Sequence, residues 1–383
     1  MFSSSNIIHI LNPKAGGHTG LVFPLIKAGA SDAGHSVAFF GEGAVPACHA
    51  ERCEEMGVPW RAWRKRSPFD LRGLREMAEW IVSLKPTAVV VHDPLAITAC
   101  LWARRRLPAL RIIAVEHQCN ALKTRKDWLF SAVLARAAER VVYLTEIYRD
   151  EVRRKLGRWF QESKSSVIAS GLDLTAYPVS DPRHHASQPF VIGMQGRMIE
   201  GQDYVTLLRA LAIANRQPGA AFRLELAGDG PCRDGLQKLA LELGVASDVS
   251  FLGFLSPRTL ARRMACWNAC VHCTAGESLS LAVMEAQACA LPIVASDVSG
   301  VRNCIDHGEN GLLVPSNDAA ALAGALHVLA ANEDMRYRFA RAGREQAEAK
   351  YSATLTWQMY SMHLRPARPA KRARLTAALP FLA

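Results

Sequence analysis

The chain has 383 residues, which is too long for a single comfortable hydrophobic core and suits two domains. Hydrophobic residues make up 50% of it and charged residues 21%, as in ordinary globular proteins, and no apolar run approaches the roughly 20 residues of a membrane-spanning helix. The formal net charge of +11 is concentrated in residues 1–180, where 25 lysines and arginines face 17 acidic residues; this excess suits either an anionic partner or a basic solvated surface.

The beginning of the chain and its cysteines bear on the cellular compartment. Residues 1–20 have neither the basic start nor the long apolar segment of a secretory signal peptide. The 10 cysteines are scattered without a regular framework, which favours a reducing environment over a disulfide-stapled fold. These features predict a cytoplasmic protein, and no recognisable nucleic-acid-binding module accompanies its basic residues.

Short apolar strands alternate with helical stretches through the first half of the chain. The turn Asn12–Gly17 separates the first strand from a helix, and further strands follow. Because this alternation is typical of parallel α/β units, residues 1–178 are predicted to form a Rossmann-like domain. Its strands are predicted at Asn6–Leu11, Ser36–Phe40, Ala88–His92, Arg111–Glu116, Val141–Leu144 and Ser166–Ala169.

A second α/β series follows the polar, proline- and histidine-rich segment Pro178–Pro189, which we interpret as a linker. Residues 190–350 are predicted to form a second Rossmann-like domain, and residues 351–383 a terminal packing helix, Ser352–Leu364, with a basic tail. Ligands of such folds bind at the carboxyl ends of the strands, so the cleft between the domains is the expected site. The strands of this half are predicted at Phe190–Gln195, Phe222–Ala227, Val249–Leu252, Ala269–Cys273, Ile293–Ala295 and Gly311–Val314.

The most informative segment is Cys273–Pro315, which holds two glutamates eight residues apart, Glu277 and Glu285. On a helix this spacing corresponds to roughly 12 Å, which suits two hydroxyl-bearing rings of one extended ligand. The free N–H groups at the start of the helix suit a diphosphate between those rings. The spacing alone also allows an alternative without a ligand, in which one of the two glutamates caps the helix and the other lies on the surface.

The surrounding sequence carries a family resemblance. The run from Gly276 to Gly300, followed by His307–Pro315, resembles the donor-binding signature of family-4-type retaining glycosyltransferases with the GT-B fold. The resemblance implies two Rossmann-like domains facing across a cleft, the first binding acceptor and the second a nucleotide sugar, with the last helix crossing back to the first domain. Further motifs in the expected order are Asn12-Pro-Lys-Ala-Gly-Gly17, Ser170-Gly-Leu-Asp173, Gly196-Arg197, Ala227-Gly-Asp-Gly-Pro231 and Phe251-Leu-Gly-Phe254.

The resemblance also implies roles for individual residues. Glu285 would hold the ribose of the donor, and Glu277 would contact its sugar. Arg197 would neutralise the diphosphate through its planar, always charged guanidinium, and His117 would touch the sugar or the acceptor. The catalytic candidates are therefore Arg197, Glu277 and His117, and the donor-binding candidates are Glu285, Gly16, Gly17, Gly196, Gln202, Phe254, Ser278 and Leu279.

One position departs from the family pattern. The family usually carries a lysine five residues after the arginine of Gly196-Arg197, whereas this chain has Gln202. A glutamine can donate a hydrogen bond but brings no charge, so a cation on the leaving diphosphate is missing unless a residue such as Lys14 supplies it. This departure is compatible with a slower enzyme, a different donor or a lost activity.

The predicted reaction moves a sugar from a nucleotide-diphosphate sugar to a glycan or a lipid-linked saccharide, with retention of anomeric configuration. No Asp-x-Asp occurs in the chain, so we expect no metal, and the donor is a substrate that needs no further cofactor. Cys270 and Cys273 look metal-like, but a spacing of three places them on opposite faces of a strand. The alternatives are an inactive relative that binds nucleotide sugar or glycan, and a sugar-nucleotide epimerase.

Two segments, Pro59–Arg66 and Arg153–Phe160, combine tryptophans with several cations. Such a combination suits an anionic membrane interface and predicts a peripheral position on the inner face of the membrane. Packed tryptophans on a basic solvated face are the alternative. His92, at the end of a predicted strand, is similarly open between an acceptor contact and a hydrogen-bonded structural histidine.

Overall fold

The computed structural model describes residues 5–13, 18–66, 70–180, 189–219 and 221–364. Several predicted features lie outside these residues: Lys14 with the glycine loop at Gly16 and Gly17, most of the linker, and the tail from Arg365 onward. Among the described helices, none is both long enough and apolar enough to span a membrane.

The first half of the chain builds a seven-stranded, entirely parallel sheet in the order β3-β2-β1-β4-β5-β6-β7. Its buried strands are rich in Val, Ile, Ala and Phe, as expected when helices cover both faces. The strands are β1 Ser5–Leu11, β2 Ala33–Gly41, β3 Trp60–Arg64, β4 Ala88–Val91, β5 Arg111–Glu116, β6 Arg140–Tyr143 and β7 Ser165–Val167. The helices are α1 His18–Gly29, α2 Ala47–Glu55, α3 Leu71–Leu84, α4 Ile97–Arg106, α5 Arg125–Ala137 and α6 Glu146–Leu156.

The second half builds a six-stranded parallel sheet in the order β10-β9-β8-β11-β12-β13. In both sheets the strand order reverses beside the first strand, and ligands of open α/β sheets bind at that point. The strands are β8 Phe190–Gln195, β9 Phe222–Ala227, β10 Val249–Gly253, β11 Ala269–His272, β12 Ile293–Ser296 and β13 Leu312–Val314. The helices are α7 Tyr204–Arg216, α8 Arg233–Glu242, α9 Pro257–Met264, α10 Leu281–Ala288, α11 Ser299–Arg302, α12 Ala319–Ala331 and α13 Glu333–Lys350.

The last described helix, α14 Ala353–Leu364, crosses back onto the first half, which confirms the predicted crossing. Its Trp357 packs so closely on the end of α1 that a Cβ at Gly29 would lie 2.8 Å from the indole ring. The indole Nε1 of Trp357 also donates to the Asp32 carboxylate at 2.8 Å. The apolar and aromatic spacing of this helix therefore serves the core of the first sheet, although the helix follows the second.

The strand β3 is absent from the sequence prediction. Its residues lie in Pro59–Arg66, one of the two segments whose composition suits a membrane interface. They form an edge strand that is hydrogen-bonded to β2. Trp63 is buried and packs edge-on against Trp80, with ring centroids 5.4 Å apart, and Trp60 packs edge-on against Phe39 at 5.9 Å. Trp60 and Trp63 therefore fit the alternative interpretation, in which the tryptophans of this segment are packed on a basic solvated face.

Glycines in the motif after β9 permit a close approach between two loops. A Cβ at Gly228 would stand 1.9 Å from the carbonyl oxygen of Gly196, and one at Gly230 would stand 2.4 Å from that of Met198. Both positions have positive φ, at which residues with a Cβ are strained. The motif therefore fixes the loop after β8, where the predicted Gly196-Arg197 pair lies.

We expect Gly228→Ala to lower the free energy of unfolding by at least about 2 kcal/mol, because it adds both a steric overlap and backbone strain. Gly235→Ala is the matched control, since Gly235 lies in α8 with open space around it. The control should be neutral or stabilising by about 0.5–1 kcal/mol. Urea titration of both variants checks the expectation, and equal stabilities would contradict it.

Candidate active site

The carboxyl ends of the two sheets meet through the loops after β5 and β11. The hydroxyl of Ser278, in the second half, donates to the main-chain carbonyl of His117, in the first, at 2.7 Å. Next to it, a Cβ at Gly276 would lie 3.5 Å from Sγ of Cys119. Predicted residues from both halves, Ser278 and His117, are therefore direct neighbours.

Glu277 lies at this junction with only 16% of its side chain exposed. Its Oε1 accepts hydrogen bonds from Nε2 of His272 at 2.8 Å and from the amide of Gln202 at 3.1 Å. Burial by itself would raise the pKa of Glu277, but the charge and hydrogen bond of His272, with bonds from Ser280 and Gln202, hold that pKa below its usual value. The carboxylate is thus kept ionised in a largely dry position.

The loop after β8 brings Gln202 to Glu277. Residues 201–203 pair with the residues that follow β11: Ala275 N–H donates to the Gly201 carbonyl at 2.9 Å, and Asp203 N–H to the Cys273 carbonyl at 3.0 Å. Asp203 then caps α7 by accepting from Thr206 N–H at 3.1 Å. Because β8 and β11 are neighbours in the sheet, the two loops can form this short ladder.

Glu285 lies on α10, the helix that follows Glu277, and is half-buried. Its Oε1 accepts a hydrogen bond from the hydroxyl of Tyr177, which comes from the end of the first half, at 3.0 Å. Burial raises the pKa of Glu285 to about 7, although the hydrogen bonds from Tyr177 and Gln195 act in the opposite direction. Near neutral pH this carboxyl group therefore titrates, unlike Glu277.

The remaining described donor candidates lie at the same edge of the second sheet. Gly196 and the exposed Arg197 directly follow β8, and Phe254 follows β10 with 63% of its surface exposed. Leu279 differs from the others, because its side chain is buried in the hydrophobic core. Only its backbone is therefore placed to meet a ligand.

Behind His117 a column of imidazole rings crosses the first sheet. His35, His9, His92 and His117 come from the neighbouring strands β2, β1, β4 and β5 or from the residue after them. Ring nitrogens lie 3.1 Å apart between His9 and His35 and 2.9 Å apart between His92 and His117, and the rings of His9 and His92 stack at 6.1 Å. Burial, then the neighbouring His35 and His92, lower the pKa of His9 well below its usual value, so the centre of the column is neutral.

A buried ion pair fixes the main chain on the other side of His117. Lys123 Nζ lies 2.7 Å from Oε2 of Glu116, and both side chains are almost fully buried. The same ammonium group donates to Ser131 and lies 4.6 Å from the centre of the Trp128 ring. Glu116 directly precedes His117, so this pair sets the course of the loop that meets Ser278.

Sequence reasoning missed His272, Tyr177 and Lys123 as supporting residues. The position of His272 at the carboxyl end of a strand was a usable signal, since it lies five residues before Glu277. Tyr177 and Lys123 carried none, because their partners are set by the tertiary structure. His92, left open between two interpretations, contacts His117 within the first half.

A cavity of about 200 Å³ opens at the carboxyl edge of the first sheet, where β1, β2, β3 and β4 end. It offers an amide, two carboxylates and an ammonium group to a ligand, and Asn12 donates to the Asp93 carboxylate at 3.1 Å. Its lining residues are Asn12, Phe40, Gly41, Glu42, Lys65, Asp93 and Leu95.

Within the described part of the chain, no group of three His, Cys, Asp or Glu side chains is arranged to hold a metal ion. Cys270 and Cys273 are both fully buried, and burial raises the pKa of each thiol. They are packed thiols of the strand that leads to Glu277.

Known sequences match both halves of the chain. The profile described as "Glycosyltransferase Family 4" matches residues 15–176, and the one described as "Glycosyl transferases group 1" matches residues 180–346. The chain is 34% identical to the lipopolysaccharide core biosynthesis glycosyltransferase LpsE of Rhizobium meliloti over 167 residues, 44% of this chain and 47% of that protein. It is 26% identical to the phosphatidyl-myo-inositol mannosyltransferase of Mycobacterium leprae over 294 residues, 75% of this chain and 76% of that protein.

The chain is also 33% identical to the D-inositol 3-phosphate glycosyltransferase of Rhodococcus erythropolis over 44% of this chain. These matches span less than half the length of the relatives: 47% of LpsE and 40% of the Rhodococcus protein. Solved structures show the shared fold. Anabaena HepE in complex with UDP-glucose superposes with a TM-score of 0.80 at 18% identity, covering 94% of this chain and 99% of HepE. The sucrose-phosphate synthase of Thermosynechococcus elongatus superposes with a TM-score of 0.74 at 23% identity, covering 94% and 98%.

We expect Lys123→Met to lower the free energy of unfolding by about 3–5 kcal/mol, because it leaves the Glu116 carboxylate buried without its cation. The double variant Glu116→Gln with Lys123→Met should recover most of this loss, since no charge then remains buried. Arg72→Met, at an exposed pair with Glu76, is the control and should cost at most about 1 kcal/mol. Chemical denaturation measures all three; a double variant as unstable as Lys123→Met would contradict the electrostatic explanation.

Proposed function

The chain belongs to the family-4-type glycosyltransferases with the GT-B fold, and from this premise we propose that it transfers a sugar from a nucleoside-diphosphate sugar to an acceptor. The observation that carries the proposal is the ionised Glu277, held by His272 and Gln202 at the junction of the two sheets. A carboxylate kept there can accept hydrogen bonds from sugar hydroxyls. The bond from Ser278 to the His117 carbonyl supports a first half that would present the acceptor to the same sugar.

The donor would lie along the carboxyl edge of the second sheet. Glu285 would bind the ribose diol, and the loop with Phe254 would meet the base. The hydrogen bonds from His272 and Gln202 both end on Oε1 of Glu277, and the carboxylate would meet the transferred sugar through Oε2. Support for a nucleotide donor comes from the HepE structures, which are complexes with UDP and with UDP-glucose.

The diphosphate would lie between these residues, beside the exposed Arg197, Gly196 and the beginning of α10. A guanidinium binds two phosphate oxygens at once, and the free N–H groups of a helix start favour negative charge. Ser278 and the backbone of Leu279 directly precede that helix. Gly16 and Gly17, which lie outside the described residues, would let the main chain of the first half approach the donor closely, because glycine has no Cβ.

The reaction follows from where charge develops. The bond between the anomeric carbon and the diphosphate oxygen breaks, and the electron pair leaves with the diphosphate. The acceptor oxygen bonds to the anomeric carbon from the same face, and its proton passes to the leaving phosphate, so configuration is retained. Arg197 and the start of α10 would stabilise the added charge on the diphosphate, which is the part that a metal ion plays elsewhere.

The acceptor would enter from the first half. The cavity at the ends of β1 to β4 presents groups that suit a hydroxyl-rich ring, with Glu42 and Asp93 as acceptors and Lys65 as a donor. A glycan or a lipid-linked saccharide fits this chemistry, with the protein at the inner face of the membrane.

The inactive relative and the sugar-nucleotide epimerase are distinguished from the transferase by the products.

We expect one nucleotide class among UDP-, GDP- and ADP-sugars to raise the melting temperature of the protein, because ligand binding stabilises the native state. Glu285→Ala should abolish the shift by removing the ribose contact, while Glu242→Ala, an exposed glutamate on α8, should leave it unchanged. Product analysis then follows with the selected donor and candidate acceptors. Binding without any transfer would favour the inactive relative, an isomerised donor the epimerase, and no shift at all would contradict the donor site.

We expect Gln202→Lys to raise kcat about tenfold, because an added cation stabilises the leaving diphosphate. Gln202→Met is the matched variant, which removes the hydrogen bond to Glu277 without adding charge and should lower kcat. Both are measured with saturating donor. If Gln202→Lys is slower than the wild type, the neutral amide is required to orient Glu277, and the missing cation does not limit the rate.

A further inference from the structure

Tyr177 joins the end of the first half of the chain to helix α10 of the second. It directly follows the short helical turn Leu174–Ala176, and its hydroxyl donates to Oε1 of Glu285 at 3.0 Å. Three residues later, the N–H of Ser180 donates to the carbonyl of Cys289, at the end of the same helix, at 2.9 Å. The segment that leaves the first half is therefore attached to α10 at two points about one helical turn apart.

Two neutral side chains donate hydrogen bonds to the carboxyl group of Glu285. Besides Tyr177, Gln195 at the end of β8 bonds to it, and the same amide is fixed on α10 by donating to the Ala282 carbonyl at 2.9 Å. Burial, followed by the charge of Glu285, raises the pKa of Tyr177, so its hydroxyl keeps the proton that it donates. A carboxylate has about four lone-pair sites, so these two bonds leave about two for a ligand.

Among the described residues, the other titratable groups that face Glu285 are two thiols. They belong to Cys270 on β11 and to Cys289, and burial, together with repulsion by neighbours that include Glu285, raises the pKa of both. Both thiols are therefore neutral near pH 7. Arg344, on the neighbouring helix α13, faces Cys289. Within this set, the burial that raises the pKa of Glu285 to about 7 is opposed by the hydrogen bonds from Tyr177 and the amide.

We propose that Tyr177 is a positioning residue for donor binding, whose hydroxyl keeps the Glu285 carboxyl group oriented and ionised as the acceptor for the ribose diol. This role rests on the proposed function. A ribose presents two neighbouring hydroxyl donors, which match the about two lone-pair sites that remain on the carboxylate. A protonated carboxyl group carries an O–H donor in place of an acceptor, so it fits the diol less well. The first half thus completes the ribose site of the second.

The first test removes the hydroxyl and keeps the ring, in Tyr177→Phe. Binding of UDP-glucose, GDP-mannose and ADP-glucose is measured by calorimetry between about pH 6 and about pH 9, and the ratio of Kd values between variant and wild type cancels any titration of the ligand. For the nucleotide sugar that the wild type binds, this ratio should be about tenfold near pH 7. It should fall to about twofold near pH 9, because only the loss of orientation remains once the carboxyl group is fully ionised. Tyr360→Phe, at a buried tyrosine on α14, is the matched control and should give a ratio near one throughout.

The second test needs no donor. Carbon NMR of the free protein, with its glutamates labelled at the carboxyl carbon, follows the ionisation of Glu285, and the signal that Glu285→Gln lacks identifies it. The midpoint, at a pKa of about 7 in the wild type, should rise by at least about one pH unit in Tyr177→Phe, because the bond favours the charged form. In Tyr360→Phe the midpoint should stay where it is.

Melting temperatures show that each variant is folded before these comparisons are made. An unchanged Glu285 midpoint in Tyr177→Phe, or a Kd ratio that is the same at every pH, would overturn the positioning role while leaving donor binding intact. The hydroxyl would then serve packing alone. A wild type that binds none of the three nucleotide sugars, although its Glu285 titrates as expected, would instead overturn the proposed function and with it the donor role of Tyr177.

Discussion

A carboxylate taken out of water must find hydrogen-bond donors, and this requirement at Glu277 organises the junction of the two halves. His272 supplies one donor from the end of β11, and Gln202 supplies another from the loop after β8. A third constraint is steric, because a Cβ at Gly300 would lie 2.2 Å from the Glu277 carbonyl oxygen. Strand neighbours, loop ladder and a close glycine contact all serve to hold one negative charge in one place.

The first half meets this fixed charge with a rigid support of its own. His117 lies between the buried pair of Glu116 with Lys123 and the imidazole of His92. A buried polar group that loses its partner costs free energy, so the members of this support stabilise the structure only when all of them are paired. The column of histidines reaches the helix α14 at Trp357, which joins the support of His117 to the chain's crossing segment.

The two glutamates of the signature have opposite electrostatic situations. His272 keeps Glu277 ionised, whereas burial without a cation brings the pKa of Glu285 to about 7. Gln202 belongs to the same balance, because its amide donates to Glu277 without adding a charge, whereas a lysine there would also form an ion pair with that carboxylate. The amide leaves the charge of Glu277 intact and leaves Arg197 as the cation of that loop. This distribution explains how the departure from the family pattern can be compatible with an intact site.

The sequence by itself determined the elements and the edge at which the proposed site lies. Alternating apolar periods predicted twelve of the strands within a few residues, and β3 escaped because an edge strand of alternating tryptophan and arginine resembles a basic surface segment. What only the tertiary structure decided are the pairings: Gln202 with Glu277, and Tyr177 with Glu285 across 108 residues of chain. Periodicity and motif spacing act along the chain, whereas these contacts depend on which strands become neighbours. That order is fixed only when the sheets and the crossing helix pack together.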